Sequence, residues 1–197
     1  MMSEPGLLLT DLYELSMLEA YAAHGMTETA VFELFVRKLP PGRGFLMAAG
    51  LEQAVQFLEI MRFTADELAW LRTSGMFSDA FLDGLQELRF TGDVDAMPEG
   101  TVFFPDEPLL RVTAPLPQAQ LVETRLINLL HFQTVIASKA ARMVLVAPGR
   151  QLVDFGLRRA HGAEAGVLAA RASYLAGFFG TATVLAGREF GIPVVGT

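Results

Sequence analysis

Apolar residues recur at helical spacing from the start of the chain. Leu12, Leu15, Leu18 and Ala22 share one side, Asp11 and Glu14 fall in the first turn behind a Thr10 cap, and Gly25 closes the predicted helix. TAVFELFVRKL, from Thr29 to Leu39, is β-branched and aromatic and predicts a strand. PPGRG (Pro40 to Gly44) reads as a turn, Phe45 to Ala49 as a second short strand, and Gly50 leads into an amphipathic helix through Met61. Thr64–Ser74 and Ser78–Leu88 predict two more helices, each opened by a capping hydroxyl. Three short β-like pieces follow, Val94–Met97, Thr101–Phe104 and Leu109–Thr113, split by Pro-Glu-Gly and Pro-Asp-Glu-Pro turns. They predict a small antiparallel sheet.

Pro115 and Pro117 mark a boundary, and from Gln118 to about Ala147 no glycine or proline interrupts the helical spacing. A long helix or a helix pair is expected there. After Pro148-Gly149 the pattern is strand (Leu152–Phe155), helix (Glu164–Ala176), helix (Thr183–Phe190) and strand (Pro193–Val195), the alternation of parallel β/α units. The fold class is therefore α/β, with three stretches along the chain. Residues 1–115 form an N-terminal α+β domain, 116–148 a helical connection, and 149–197 the first β/α units of an irregular TIM-like barrel. A full barrel takes roughly 250 residues. An incomplete barrel is expected, the front part of something larger.

Composition narrows the function classes. Hydrophobic residues make up 52% and charged ones 19% of 197 residues, a globular balance. A net charge of -7 argues against a non-specific nucleic-acid surface, which needs a basic stripe. Without cysteine the chain has no disulfide, thiolate metal site or cysteine nucleophile. MMSEPGLLLTDLYE lacks the basic start of a signal peptide, and no apolar run approaches the ~20 residues that cross a bilayer. A cytoplasmic protein with no nucleic-acid or membrane partner is expected. The histidines His24, His131 and His161 lie too far apart for a zinc motif, and no GxGxxG or P-loop pattern occurs.

The chemistry concentrates in QLVDFGLRRAHG. An apolar run, Leu152 to Phe155, breaks at Gly156 and opens into Arg158 and Arg159, fixed positive charge at the mouth of a sheet. The guanidinium fork hydrogen-bonds two oxygens at once and suits a phosphate or a carboxylate. Pairing of both arginines with Asp154 or Glu164 explains the cluster equally well.

Together with this block, LLTDLYELSML, FELFVRKLPPGRGFLMAAGLE, VFFPDEPLLRVTAPLPQAQLVET and the final GIPVVGT resemble nicotinate phosphoribosyltransferases in order and spacing. The resemblance spans nearly the whole chain. It implies an enzyme that makes nicotinate mononucleotide and pyrophosphate from nicotinate and phosphoribosyl pyrophosphate with ATP hydrolysis, in NAD salvage. It further implies Mg2+ as cofactor, ATP as co-substrate and a homodimer.

The same resemblance gives the site residues. Tyr13 matches a tyrosine that stacks on the pyridine ring from the partner subunit, and Phe155 the aromatic on the opposite face. Arg158 matches the arginine holding the anionic groups near the reacting centre, with Arg159 a neighbour. Thr197 matches the threonine beside the nicotinate carboxylate, and Arg37 and Lys38 the basic residues presented to pyrophosphate. Gly177 to Thr183 is a small-residue turn suited to a phosphate, or a plain helix break. In that turn the related nicotinamide-using enzyme carries an aspartate where this chain has Ala182. Without that fixed negative charge the pocket accepts an acid, which favours nicotinate. The family's phosphorylated histidine belongs beyond Thr197, so no catalytic residue is expected within the chain, and no metal ligand is assigned. His24 reads as a helix-end cation, His131 as packing, and His161 as the one histidine near the site. The alternative function is a catalytically inactive, truncated paralogue acting as a dimerisation or regulatory subunit. Quinolinate phosphoribosyltransferase shares the barrel but needs a more basic pocket and lacks the TDLYE block.

Overall fold

Local signals account for several helix ends in the computed structural model, which describes residues 6–196. Helix α1 (Leu12–His24) ends where Gly25 turns left-handed at φ 63°, its N–H donating to the Ala22 carbonyl at 3.2 Å. Its N-cap position is Asp11, one residue later than expected, because the Thr10 hydroxyl donates to the Glu14 carboxylate instead of capping the helix. Helix α2 spans Leu51–Ile60. Helix α3 (Ala65–Ser74) opens on a full capping box: the Glu67 N–H donates to Thr64 Oγ1 at 3.2 Å, and the Thr64 N–H to Glu67 Oε2 at 2.8 Å. The single helix expected from Ser78 to Leu88 breaks at Gly84 into α4 (Asp79–Gly84) and a 3-10 turn, Leu85–Glu87. Glycine is a weak helix residue, so the break falls there.

The described chain divides into two interleaved units. The first takes the segments up to Leu34, Glu52–Asp95 and Leu110–Asn128. Its sheet has the order β1-β5-β3, from β1 (Thr29–Phe35), β3 (Asp93–Ala96) and β5 (Pro108–Pro115). Arg111 of β5 is paired with Glu33 of β1 at 2.6 Å. β1 stops short of the expected Leu39, so Arg37 and Lys38 lie in the coil beyond it.

The second unit takes Phe35–Leu51, Ala96–Leu109 and the chain from Leu129 on. Here the expected three-piece sheet is corrected. β4 (Val102–Phe103) leaves its sequence neighbours and pairs antiparallel with β2 (Leu46–Met47), Leu46 opposite Phe103, which places the Phe103 ring fully in the core. After Pro115 the chain forms the helix pair, α5 (Leu116–Leu121) and α6 (Glu123–Val146). Ala137, Ala140 and Ala141 of α6 pack on Ala172 and Ala176 at the end of α7 (Ala163–Leu175), small side chains that allow close approach. Polar residues of α6 fasten the β2 segment: the Met47 N–H donates to Ser138 Oγ at 2.8 Å, and Thr134 Oγ1 donates to the Ala49 carbonyl at 3.2 Å. By length and composition α6 is apolar enough to cross a membrane, so the chain does contain one such stretch; 44% of that window is buried within the protein.

The end of the second unit is a β/α alternation. β6 (Val153–Asp154) runs parallel to β7 (Gly180–Thr181), with α7 between them and α8 (Val184–Phe190) after. The expected last strand is reduced to one parallel bridge, Val194 to Thr181. β7 itself falls inside the stretch expected as a turn or helix break. A Cβ on Gly180 would stand 2.5 Å from the Pro193 carbonyl oxygen, so only glycine allows the third segment to lie this close.

Candidate functional site

In parallel β/α units the functional loops leave the C-terminal ends of the strands. Phe155 follows β6 directly, Ala182 follows β7, and Val195 and Gly196 follow the Val194 bridge, so these positions share one edge. The Ala182 N–H donates to the Asp154 carbonyl at 2.8 Å and the Val195 N–H to the Thr181 carbonyl at 2.9 Å, which ties the three segments together. Phe155 is 55% exposed there. Thr197 lies outside the described residues.

The two arginines stand in a 3-10 turn, Leu157–Arg159, that packs on α7. Gly166 makes room for it, since a Cβ there would come within 2.4 Å of Leu157 Cδ1. Asp154 does not neutralise the arginines. One carboxylate oxygen accepts from the Gly156 N–H at 3.0 Å and the other from Thr181 Oγ1 at 2.8 Å. Arg158 and Arg159 are exposed, and their side chains make no ion pair or hydrogen bond among the described residues. Of the two explanations for the cluster, internal pairing is not realised. The edge thus carries the exposed Phe155 ring and an uncharged methyl at Ala182, followed in sequence by two arginines whose side chains are unpaired among the described residues.

Other positions fall elsewhere. Arg37 and Lys38 are exposed in the coil after β1. His24 is exposed at the end of α1, and His131 is exposed on α6 rather than packed. His161 follows the arginine turn and lines a cavity beside it. Among the described residues no group of three or more His, Asp or Glu is placed to hold a metal ion.

Tyr13 belongs to the first unit, near the start of α1, with its ring 43% exposed. Its neighbour Glu14 is fully buried and accepts from the Thr124 N–H at 2.9 Å, from Thr124 Oγ1 at 2.7 Å and from the Tyr13 hydroxyl at 3.3 Å. Those bonds pin the start of α1 to the first turn of α6 and fix the ring's base. Desolvation first, then the carboxylates of Glu123 and Glu14, push the phenol up to about 12, so it stays a neutral donor at neutral pH.

Sequence reading missed a buried ion pair in the second unit. Arg171 of α7 donates to both oxygens of Glu99, at 2.7 and 2.9 Å, and to Gln133 at 3.2 Å, while its guanidinium lies 5.5 Å from the centre of the Phe190 ring. Glu99 also accepts the N–H groups of Gly50, at 2.5 Å, and Leu51, at 3.1 Å. Burial acts to raise the Glu99 carboxyl, but the bonds and charge of Arg171 and the two amides outweigh it and hold it below its usual range. Glu99 looks like a turn residue in PEGT, and Arg171 sits in an alanine-rich helix. Only a charge at an otherwise apolar helix position hinted at it.

Known proteins bear on this geometry. Residues 8–131 match the family described as nicotinate phosphoribosyltransferase (NAPRTase) N-terminal domain. A nicotinate phosphoribosyltransferase of Mycobacterium tuberculosis is 58% identical over 192 residues, 98% of this chain and 42% of that protein. One from Bacillus subtilis is 44% identical over 96% of this chain and 39% of its own length. The crystal structure of human nicotinic acid phosphoribosyltransferase superposes with a TM-score of 0.88 at 41% identity, covering 96% of this chain and 39% of the human one. The chain thus spans about two fifths of the length of these relatives. It belongs to the nicotinate phosphoribosyltransferase family, whose N-terminal domain it carries.

Proposed function

We propose that the chain is part of an enzyme that joins nicotinate to phosphoribosyl pyrophosphate, giving nicotinate mononucleotide and pyrophosphate with ATP hydrolysis, in NAD salvage in the cytoplasm. The observation that carries the reading is that exposed Phe155 and the unpaired Arg158 follow β6 directly, while uncharged Ala182 follows the neighbouring β7. In the reaction the bond from ribose C1 to pyrophosphate breaks and a bond from C1 to the pyridine nitrogen forms. Phe155 stacks on one face of the pyridine ring, and Tyr13, donated by the partner subunit of a homodimer, on the other. Arg158 and Thr197 hold the carboxylate and phosphate oxygens, and Arg37 meets the leaving pyrophosphate. Positioning of this kind supplies on the order of 7–11 kcal/mol of a barrier. Proton and phosphoryl chemistry on a histidine is assigned to no residue of this chain.

Arg158→Ala should lower kcat/KM for nicotinate by about tenfold or more, the loss of one charge-assisted anion contact. Ala182→Asp should lower it as well and improve nicotinamide relative to nicotinate, because an aspartate repels a carboxylate and accepts from a carboxamide. Product formation from each base measures both. Unchanged kinetics in Arg158→Ala would remove the anion-anchor role.

A further inference from the structure

Beside the β6 edge, α6, α7 and the loop between β6 and α7 enclose a cavity of about 500 Å³ that the catalytic reading does not use. Its walls divide by chemistry. Phe132, Ile136 and Met143 of α6, with Phe178, form an apolar side. Lys139 of α6 and Arg159 of the loop form a cationic rim, with the His161 imidazole beside them. The side chains of Lys139 and Arg159 make no ion pair or hydrogen bond among the described residues. Ser173 of α7 lines the same space. Asp154 also lines the cavity, but its oxygens are already occupied by Gly156 and Thr181.

We propose that this cavity binds a mononucleotide, a phosphate monoester on a flat aromatic body, at a place separate from the edge formed by Phe155, Arg158 and Ala182. Two permanent cations with an imidazole and a hydroxyl suit a dianionic phosphate better than a single carboxylate. The phenylalanine and methionine side chains suit the face of an aromatic ring. The volume falls within the range of small-molecule sites, roughly 300–1,000 Å³. Adjacent in sequence, Arg158 and Arg159 thereby serve two different ligand places.

The test uses adenosine 5′-monophosphate as probe on the full chain, with affinity from calorimetry and the His161 ring signal followed by NMR after assignment with His161→Gln. A saturable His161 shift is expected. Arg159→Ala and Lys139→Ala should each weaken binding by about tenfold or more, and Arg158→Ala should leave it within about twofold. Ser173→Leu, which fills the space without changing charge, should abolish binding while circular dichroism stays native. Failure to saturate in the millimolar range overturns the proposal. So does loss of binding in Arg158→Ala with retention in Arg159→Ala, which would put the nucleotide on the substrate edge. Inorganic phosphate binding as tightly as the nucleotide would overturn the role of the apolar wall. Because Arg158→Ala also tests the catalytic anchor, the two readings fail separately.

Discussion

Removing the Glu99 carboxylate should cost more stability than almost any other single side-chain truncation in the second unit. Arg171 keeps only 10% of its side chain exposed and Glu99 17%, so neither charge is free to return to water where it stands. Glu99→Ala leaves the guanidinium with Gln133 and the Phe190 ring, and strips the acceptor from the Gly50 and Leu51 N–H groups. Breaking a buried pair from one side costs about 3–5 kcal/mol, a large share of the roughly 5–15 kcal/mol that holds a domain folded. Glu99→Gln keeps an acceptor for one or two of these donors and should cost less. Urea unfolding of wild type, both Glu99 variants, Arg171→Met and the double variant gives the individual losses and their coupling. The sign with pH follows from the lowered Glu99 carboxyl. The stabilisation is complete above the ordinary carboxyl value of 4.5 and is lost as pH falls below it, and Glu99→Gln should lack that part of the acid slope. A loss under about 1 kcal/mol for Glu99→Ala, or additive single and double variants, would refute the argument, since an exposed pair behaves that way.

Two further outcomes follow from the geometry. Gly180→Ala places a methyl 2.5 Å from the Pro193 carbonyl oxygen and should lower stability by about 1–3 kcal/mol, whereas Gly44→Ala, with nothing within 4 Å, should leave the melting temperature nearly unchanged. Equal melting temperatures for the two would sink the close-packing account. The difference in phenolate absorbance between wild type and Tyr13→Phe should titrate near 12 rather than 10. A raised value in the folded state adds stability below pH 10 that disappears between 10 and 12. The partly exposed ring keeps that contribution small. A midpoint near 10 would mean that Glu14 and Glu123 do not act on the ring.

Legibility in the sequence tracked how local the determinant was. Thr64 with Glu67, and Gly25 after His24, announced their helix ends because a cap is a matter of three or four residues. β7 escaped because two residues, Gly180 and Thr181, carry no alternation; they become a strand only when Val153 and Val194 lie beside them. β4 was readable as a strand, but its partner was not, since Phe103 finds Leu46 across more than fifty residues. At the site, the arginine pair stood out by composition, yet whether Asp154 neutralised it depended on the Thr181 hydroxyl arriving from a distant segment. Ser173 gave no signal at all, because a serine on an alanine-rich helix looks the same whether it faces a cavity or a packed wall.

The interleaving of the two units has a bearing on synthesis. Met47 and Ala49 find their side-chain partners only at Ser138 and Thr134, separated from them by 91 and 85 residues. At roughly 5–20 residues per second a ribosome needs on the order of 4–18 s to make that stretch. Throughout that interval the Leu46–Met47 edge has emerged with no helix to fasten it. The second unit therefore cannot fasten its β2 segment until α6 has been made, and slower elongation before α6 lengthens the time that segment waits.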